Sequence, residues 1–161
     1  MIDEPVTPVT APPEMSPGDV ELLDIAQQLL RQVWVAGRHE VATALRTPDG
    51  AVHTGVHLEG SCRRSSICAE AVALGAARVG LPPDAPLTVE SVVSVQVKPA
   101  GAFRIIAPCG VCRELLSDYS PQARVWLTAV VTTGPGQVPA ADQITAVAAI
   151  DLLPDKTRRA W

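Results

Sequence analysis

Three of the four cysteines stand where two candidate helices begin, and this placement constrains the fold more than any other feature of the chain. Cys68-Ala69-Glu70 opens one helical run and Pro108-Cys109-Gly110-Val111-Cys112 opens another. Two thiols at i and i+3 on a first helical turn point the same way and can share a metal. The free N–H groups and the dipole of a helix N-terminus help to keep such thiols deprotonated. Cys68 supplies a third soft ligand once the two helix starts are brought together. Three protein ligands leave the fourth tetrahedral position of Zn²⁺ open, the mark of a catalytic rather than a structural site. Glu70 is poorly placed to bind the same ion as Cys68, but it can face the open position and carry protons there. His39, His53 and His57 all lie upstream without metal-like spacing to the cysteines.

Metal or catalysis is a better use of these cysteines than crosslinking, because the chain reads as cytoplasmic, where disulfides rarely persist. The first fifteen residues carry acids and prolines where a signal peptide needs a basic region and an apolar run. No apolar stretch reaches the roughly 18–20 residues of a membrane span. The net charge of −4, with scattered Lys and Arg, leaves no basic footprint for nucleic acid. Arg158, Arg159 and Lys156 form a basic tail of the kind that is normally solvated. A small-molecule substrate is the partner that remains.

The 161 residues fit one domain. With aromatics at only 3%, its core must be built from Val, Leu, Ile and Ala. Residues 1–15, rich in proline, read as a disordered leader, and 16–161 as a single catalytic domain. Ser16 as N-cap and Pro17 at the first helical position start an amphipathic helix that stops near Gly37. Residues 41–46 and 51–57 flank Thr47-Pro48-Asp49-Gly50 as a hairpin. A helix from Ala69 to about Val79, a strand from Val89 to Val97 and another from Phe103 to Ala107 follow. A helix over 110–119 and a strand over 124–131 come next, then a loop at Gly134-Pro135-Gly136. A last short helix is expected around Ala141 to Leu153. This order predicts an α/β domain of three α/β/α layers with a mixed central sheet.

The order zinc ligand-x-Glu followed by Pro-Cys-x-x-Cys is the known signature of zinc deaminases. With it, most of residues 20–155 resembles the cytidine deaminase family. Val41-Ala42-Thr43-Ala44-Leu45 with Thr47-Pro48-Asp49-Gly50 looks like the family's first hairpin, and Gly55-Val56-His57-Leu58-Glu59 like its ribose-contacting strand. Arg113 and Leu152-Leu153-Pro154 match as well. The resemblance implies hydrolytic deamination of a cytosine nucleoside in pyrimidine salvage, with Cys68, Cys109 and Cys112 on Zn²⁺ and Glu70 as acid–base group. It also implies substrate contacts at His39, His57, Glu59 and the Ala69 backbone, and a homotetramer.

The recognition positions depart from the pattern. His39 stands where relatives carry an aromatic residue that closes over the base, and His57 where they carry a sugar-binding Asn. Ala71 replaces the usual Arg after the catalytic Glu, and the C-terminal aromatic is missing unless Trp161 replaces it. These changes motivate a second reading, deamination of a modified cytosine nucleoside such as blasticidin S. A third, of another class, is a non-catalytic zinc-stabilised scaffold using all four cysteines, against which Glu70 argues. His57 contacts the sugar or is a satisfied strand histidine. His53 is a surface residue and Cys62 a buried or interface thiol. Arg63 and Arg64 serve an interface, an anionic substrate group or a wet loop. Arg113 balances thiolate charge or caps local carbonyls.

Overall fold

The computed structural model describes residues 6–98, 101–131 and 140–157. Nine main elements run in the order α1 (Pro17–Val33), β1 (Val41–Arg46), β2 (Val52–Val56), α2 (Ala69–Val79), β3 (Ser91–Lys98), β4 (Ala102–Ile105), α3 (Gly110–Tyr119), β5 (Arg124–Val131) and β6 (Ala140–Ala148). The sheet order is β2-β1-β3-β5-β6, with β4 also paired to β3. Among the described strands only β3 and β5 pair in parallel; the remaining strand pairs are antiparallel, so the sheet is mixed. The α/β fold expected from the element order is the one observed.

Alternation along the strands assigns each face. Ala42 and Ala44 of β1, with Val93, Val95 and Val97 of β3, meet Leu22, Leu23, Ala26 and Leu30 of α1. The opposite face carries Leu45, Val92 and Val125 under Ala73, Leu74 and Ala77 of α2 and Leu116 of α3. Thr43 of β1 and Ser94 of β3 share that second face, directly opposite each other in register. Two hydroxyls are thus buried beneath the start of α2.

Local chemistry acts as the sequence predicts at the caps and turns. Ser16 Oγ accepts from the Asp19 N–H at 3.2 Å, and α1 begins there. In the first hairpin Gly50 takes φ +88°, a left-handed value that favours glycine, and Thr47 and Ala51 close the turn. Gly37, at φ +71°, makes the turn that brings Val35 back to His39, past the end of α1 at Val33.

Three expectations need correction. The last helix around Ala141–Leu153 is β6 followed by one 3-10 turn, Ala149–Leu152. Pairing from Arg124↔Ala148 to Val131↔Ala140 satisfies the edge of β5, and that tertiary gain overrides the helical leaning of an alanine-rich segment. The disordered leader does not extend over 6–15. Thr7 bonds backbone to backbone with Gly101 and Phe103, Val9 N–H donates to Gln27 Oε1 at 2.8 Å, and Met15 is buried. Val6, Val9 and Ala11 pack against the core cluster to which α1 contributes. Finally, Lys156 is not a solvated tail residue: its ammonium donates to Asp118 Oδ1 at 2.5 Å and Ser117 Oγ at 2.8 Å. Residues 1–5, the Gly134-Pro135-Gly136 loop, Arg158, Arg159 and Trp161 lie outside the described residues. No helix among the described residues is long and apolar enough to cross a membrane.

Candidate active site

Cys68 is the N-cap of α2 and Cys109 the N-cap of α3, both extended in backbone, with Cys112 in the first turn of α3. The parallel β3–β5 pair sets the two helices side by side on one face, so both helix starts open at the same end of the sheet. One approach is unusually close. A Cβ on Gly55 of β2 would fall on the Ala69 carbonyl oxygen and the Ala73 amide nitrogen, backbone atoms that cannot swing aside. Glycine therefore lets the first turn of α2, with Cys68 and Glu70, lie flat against the sheet.

The ligand atoms of Cys68, Cys109 and Cys112 all lie within 4.8 Å of one another. Cys68 Sγ and Cys109 Sγ are 3.5 Å apart, too far for a disulfide and close to the roughly 3.8 Å that tetrahedral Zn–S bonds of about 2.3 Å impose. Three converging soft donors fit zinc. Cys62 is exposed and outside this group. Burial, then the neighbouring Cys109 thiol, pushes the Cys68 thiol up to about 11. Burial, then the Glu70 carboxylate, pushes Cys112 up as well. Burial also acts upward on Cys109, but N–H groups at the start of α3 and the thiols of Cys68 and Cys112 outweigh it and lower its pKa. Cys109 is thus the first of the three to ionise, as expected at a helix N-terminus.

Glu70 is 4% exposed. Ser94 Oγ donates to its Oε1 at 3.1 Å, and Cys112 Sγ lies 3.5 Å from its Oε2. Beside it opens a cavity of about 280 Å³ lined by Glu70, Cys68, Cys109, Ala69, His57 and Gln96, among others. A larger cavity, about 480 Å³, lies between Val9, Phe103 and Ile144 and includes none of the thiols. The chemistry belongs to the smaller one.

Of the expected substrate contacts, His57 and Ala69 line the cavity, whereas His39 and Glu59 are not in its wall and instead contact His57. His39 Nδ1 donates to the His57 carbonyl at 3.0 Å, and Glu59 Oε2 lies 3.3 Å from His57 Nε2. Both residues therefore orient His57. Ser66 Oγ holds the other Glu59 oxygen at 2.9 Å. Arg113 caps carbonyls, donating to Pro108 at 2.9 Å and Leu152 at 3.4 Å, and so ties the Cys109 turn to the C-terminal 3-10 turn. Arg78 similarly binds the carbonyls of Leu81 and Pro83 in the loop that follows α2. Glu40 and Gln96 in the cavity wall, and Thr43 and Ser94 below it, carry no signal along the chain. Only the β1–β3 register, which no local motif encodes, brings them there.

No protein-family model matches the chain. Over 111 residues, 69% of this chain and 79% of the relative, it is 33% identical to a blasticidin-S deaminase of Bacillus cereus. The chain belongs to the cytidine deaminase-like family. Solved structures agree with a cytidine-deaminase-like fold. The cytidine deaminase of Burkholderia pseudomallei is 27% identical, with a TM-score of 0.62 over 86% of this chain and 98% of that one. The cytidine deaminase of Bacillus anthracis, 21% identical, shares the fold with a TM-score of 0.66 over 85% of this chain and 87% of that one. In this cytidine-deaminase-like chain, the three converging cysteines and Glu70 come from the two motifs that the sequence set apart.

Proposed function

We propose that the chain is a hydrolytic deaminase of a cytosine nucleoside, with Cys68, Cys109 and Cys112 holding one Zn²⁺ and Glu70 carrying protons. The observation that supports this reading most is the convergence of three thiols beside a buried carboxylate at the wall of one cavity. When bound, zinc supplies a Lewis acid that makes water nucleophilic near neutral pH. Glu70 would accept a proton from the attacking water and pass it to the ring nitrogen beside the amine-bearing carbon. As the water oxygen bonds to that carbon, its second proton would pass through Glu70 to the departing amine; the C–N bond then breaks and ammonia leaves, with water consumed. The Ala69 N–H, at the open start of α2, donates to the base carbonyl. His57, braced by Glu59 and His39, meets the sugar or its replacement. Incubating the purified protein with cytidine, deoxycytidine, cytosine nucleotides and blasticidin S while measuring ammonia tests the reading. No release from any of them overturns it.

Within this class the relative at 33% identity, a blasticidin-S deaminase, favours a modified cytosine nucleoside, as does a histidine at position 57. Pyrimidine salvage follows instead if cytidine is the best substrate. The scaffold reading is weaker, because it needs Cys62 in the cluster and has no use for Glu70 in the cavity wall. The proposed assembly is a homotetramer in the cytoplasm. Light scattering at micromolar concentration should report four copies, and a fully active monomer would rule the tetramer out.

A further inference from the structure

We infer that Thr43 and Ser94 form a directed hydroxyl relay that fixes the carboxylate of Glu70, making both of them positioning residues for proton transfer. The inference rests on the proposed role of Glu70, and its starting point is what surrounds that side chain. Glu70 is buried, yet no Lys, Arg or His pairs with it among the described residues. A buried carboxylate without a cation depends on hydrogen-bond donors to hold its orientation. On Oε1 that donor is the Ser94 hydroxyl, at 3.1 Å. Ser94 Oγ lies in turn 2.8 Å from Thr43 Oγ1. Thr43 is 0% exposed and Ser94 2%, so water has no room to take over either bond.

The direction of the relay follows from counting hydrogens. Ser94 has one O–H and gives it to a carboxylate oxygen that can only accept. Thr43 must then be the donor to Ser94. Each bond strengthens the next, because a hydroxyl that accepts is a better donor. The β1–β3 register places the two residues opposite each other and under the first turn of α2. A cross-strand hydroxyl pair of this kind would satisfy itself without any carboxylate. Its extension to Glu70 is what points beyond packing. With Oε1 held from below, Oε2 is left on the side of Cys112 and the cavity, as the oxygen free to exchange a proton.

Three variants and one structure test this. Ser94→Ala should lower kcat about ten- to a hundredfold, the scale of one charge-assisted hydrogen bond, with KM and zinc content unchanged. Thr43→Val should lower kcat about three- to tenfold, and Thr43→Ser, which restores the donor, should recover it. A purely structural pair would lower the melting temperature and leave kcat of the folded protein alone. In a crystal structure of Ser94→Ala the Glu70 carboxylate should leave its present orientation. A carboxylate still in place there, or a Thr43→Val variant with wild-type kcat, overturns the relay. If the wild type releases no ammonia from any cytosine compound, the functional reading falls, while the crystal structure still decides the relay on its own.

Discussion

At the residue scale the site divides tasks between groups that lie close together, which makes their substitutions separable. Glu70 meets the thiol cluster at Cys112 and is not one of the three converging donors. Glu70→Gln should therefore retain about one equivalent of zinc while turnover falls by roughly 10²–10⁴-fold, the range for a lost acid–base group. Metal analysis and ammonia release on the same preparation check both halves. His57 raises a question of specificity. A site that hydrogen-bonds a substrate hydroxyl rejects analogues lacking it far more strongly than an apolar pocket rejects a methylene. An imidazole offers a donor and an acceptor that point apart, whereas an amide presents both at one end. Glu59 holds this imidazole at Nε2 while His39 holds the His57 backbone carbonyl, so its orientation is set before substrate arrives. Cytidine should thus be a poorer substrate than a modified cytosine nucleoside, and His57→Asn should shift kcat/KM towards cytidine. Measuring blasticidin S and cytidine with both proteins at one pH decides the matter. A wild type that prefers cytidine, with His57→Asn only weaker, would leave plain nucleoside salvage.

At the element scale, the first turn of α2 carries both Cys68 and Glu70, and its height above the sheet is set by Gly55. Gly55→Ala should push the helix outward, cost about 1–3 kcal/mol of stability and loosen zinc binding. Gly75, in the interior of the same helix, is the control. A Cβ there meets nothing within 4 Å, so Gly75→Ala should add about 0.5–1 kcal/mol and leave the metal in place. Thermal unfolding and zinc content of the two variants check this contrast. The first hairpin, α2 and α3 were legible in the sequence because caps, turns and apolar periodicity act over a few residues. The segment after Val131 was not, because β6 owes its form to β5 rather than to its own composition.

For the whole molecule, Asp19 joins elements far apart in the chain. Its carboxylate is buried near the start of α1 and accepts from Ser91 Oγ of β3 at 2.6 Å and from Arg124 Nε of β5 at 2.8 Å. Burial acts to raise its pKa, but the bonds to Arg124, Ser91 and Ser16 outweigh it, and the net shift is downward. A carboxylate with a depressed folded pKa stabilises the fold above its unfolded value, near 3.9, and loses that contribution as pH falls through the folded value. Asp19→Asn should cost about 2–3 kcal/mol at pH 7, less than a fully buried pair because the Arg124 side chain is 40% exposed. The deficit should shrink below about pH 4, which denaturant titrations at pH 7 and pH 3 would show; an equal deficit at both would refute the linkage. Asp19 stands in the first turn of α1, where any acid favours the positive helix end, but its partners are 72 and 105 residues away. Motif and capping chemistry are local, so the helix starts, the hairpin turn, the three thiols and the carboxylate could be read along the chain. The form of β6, the docking of residues 6–15, the contacts of His39 and Glu59 with His57, and the hydroxyls beneath Glu70 came with the assembled fold. Each of these depends on strand register and on which backbone edges remain to be paired, and those are fixed only when distant segments meet.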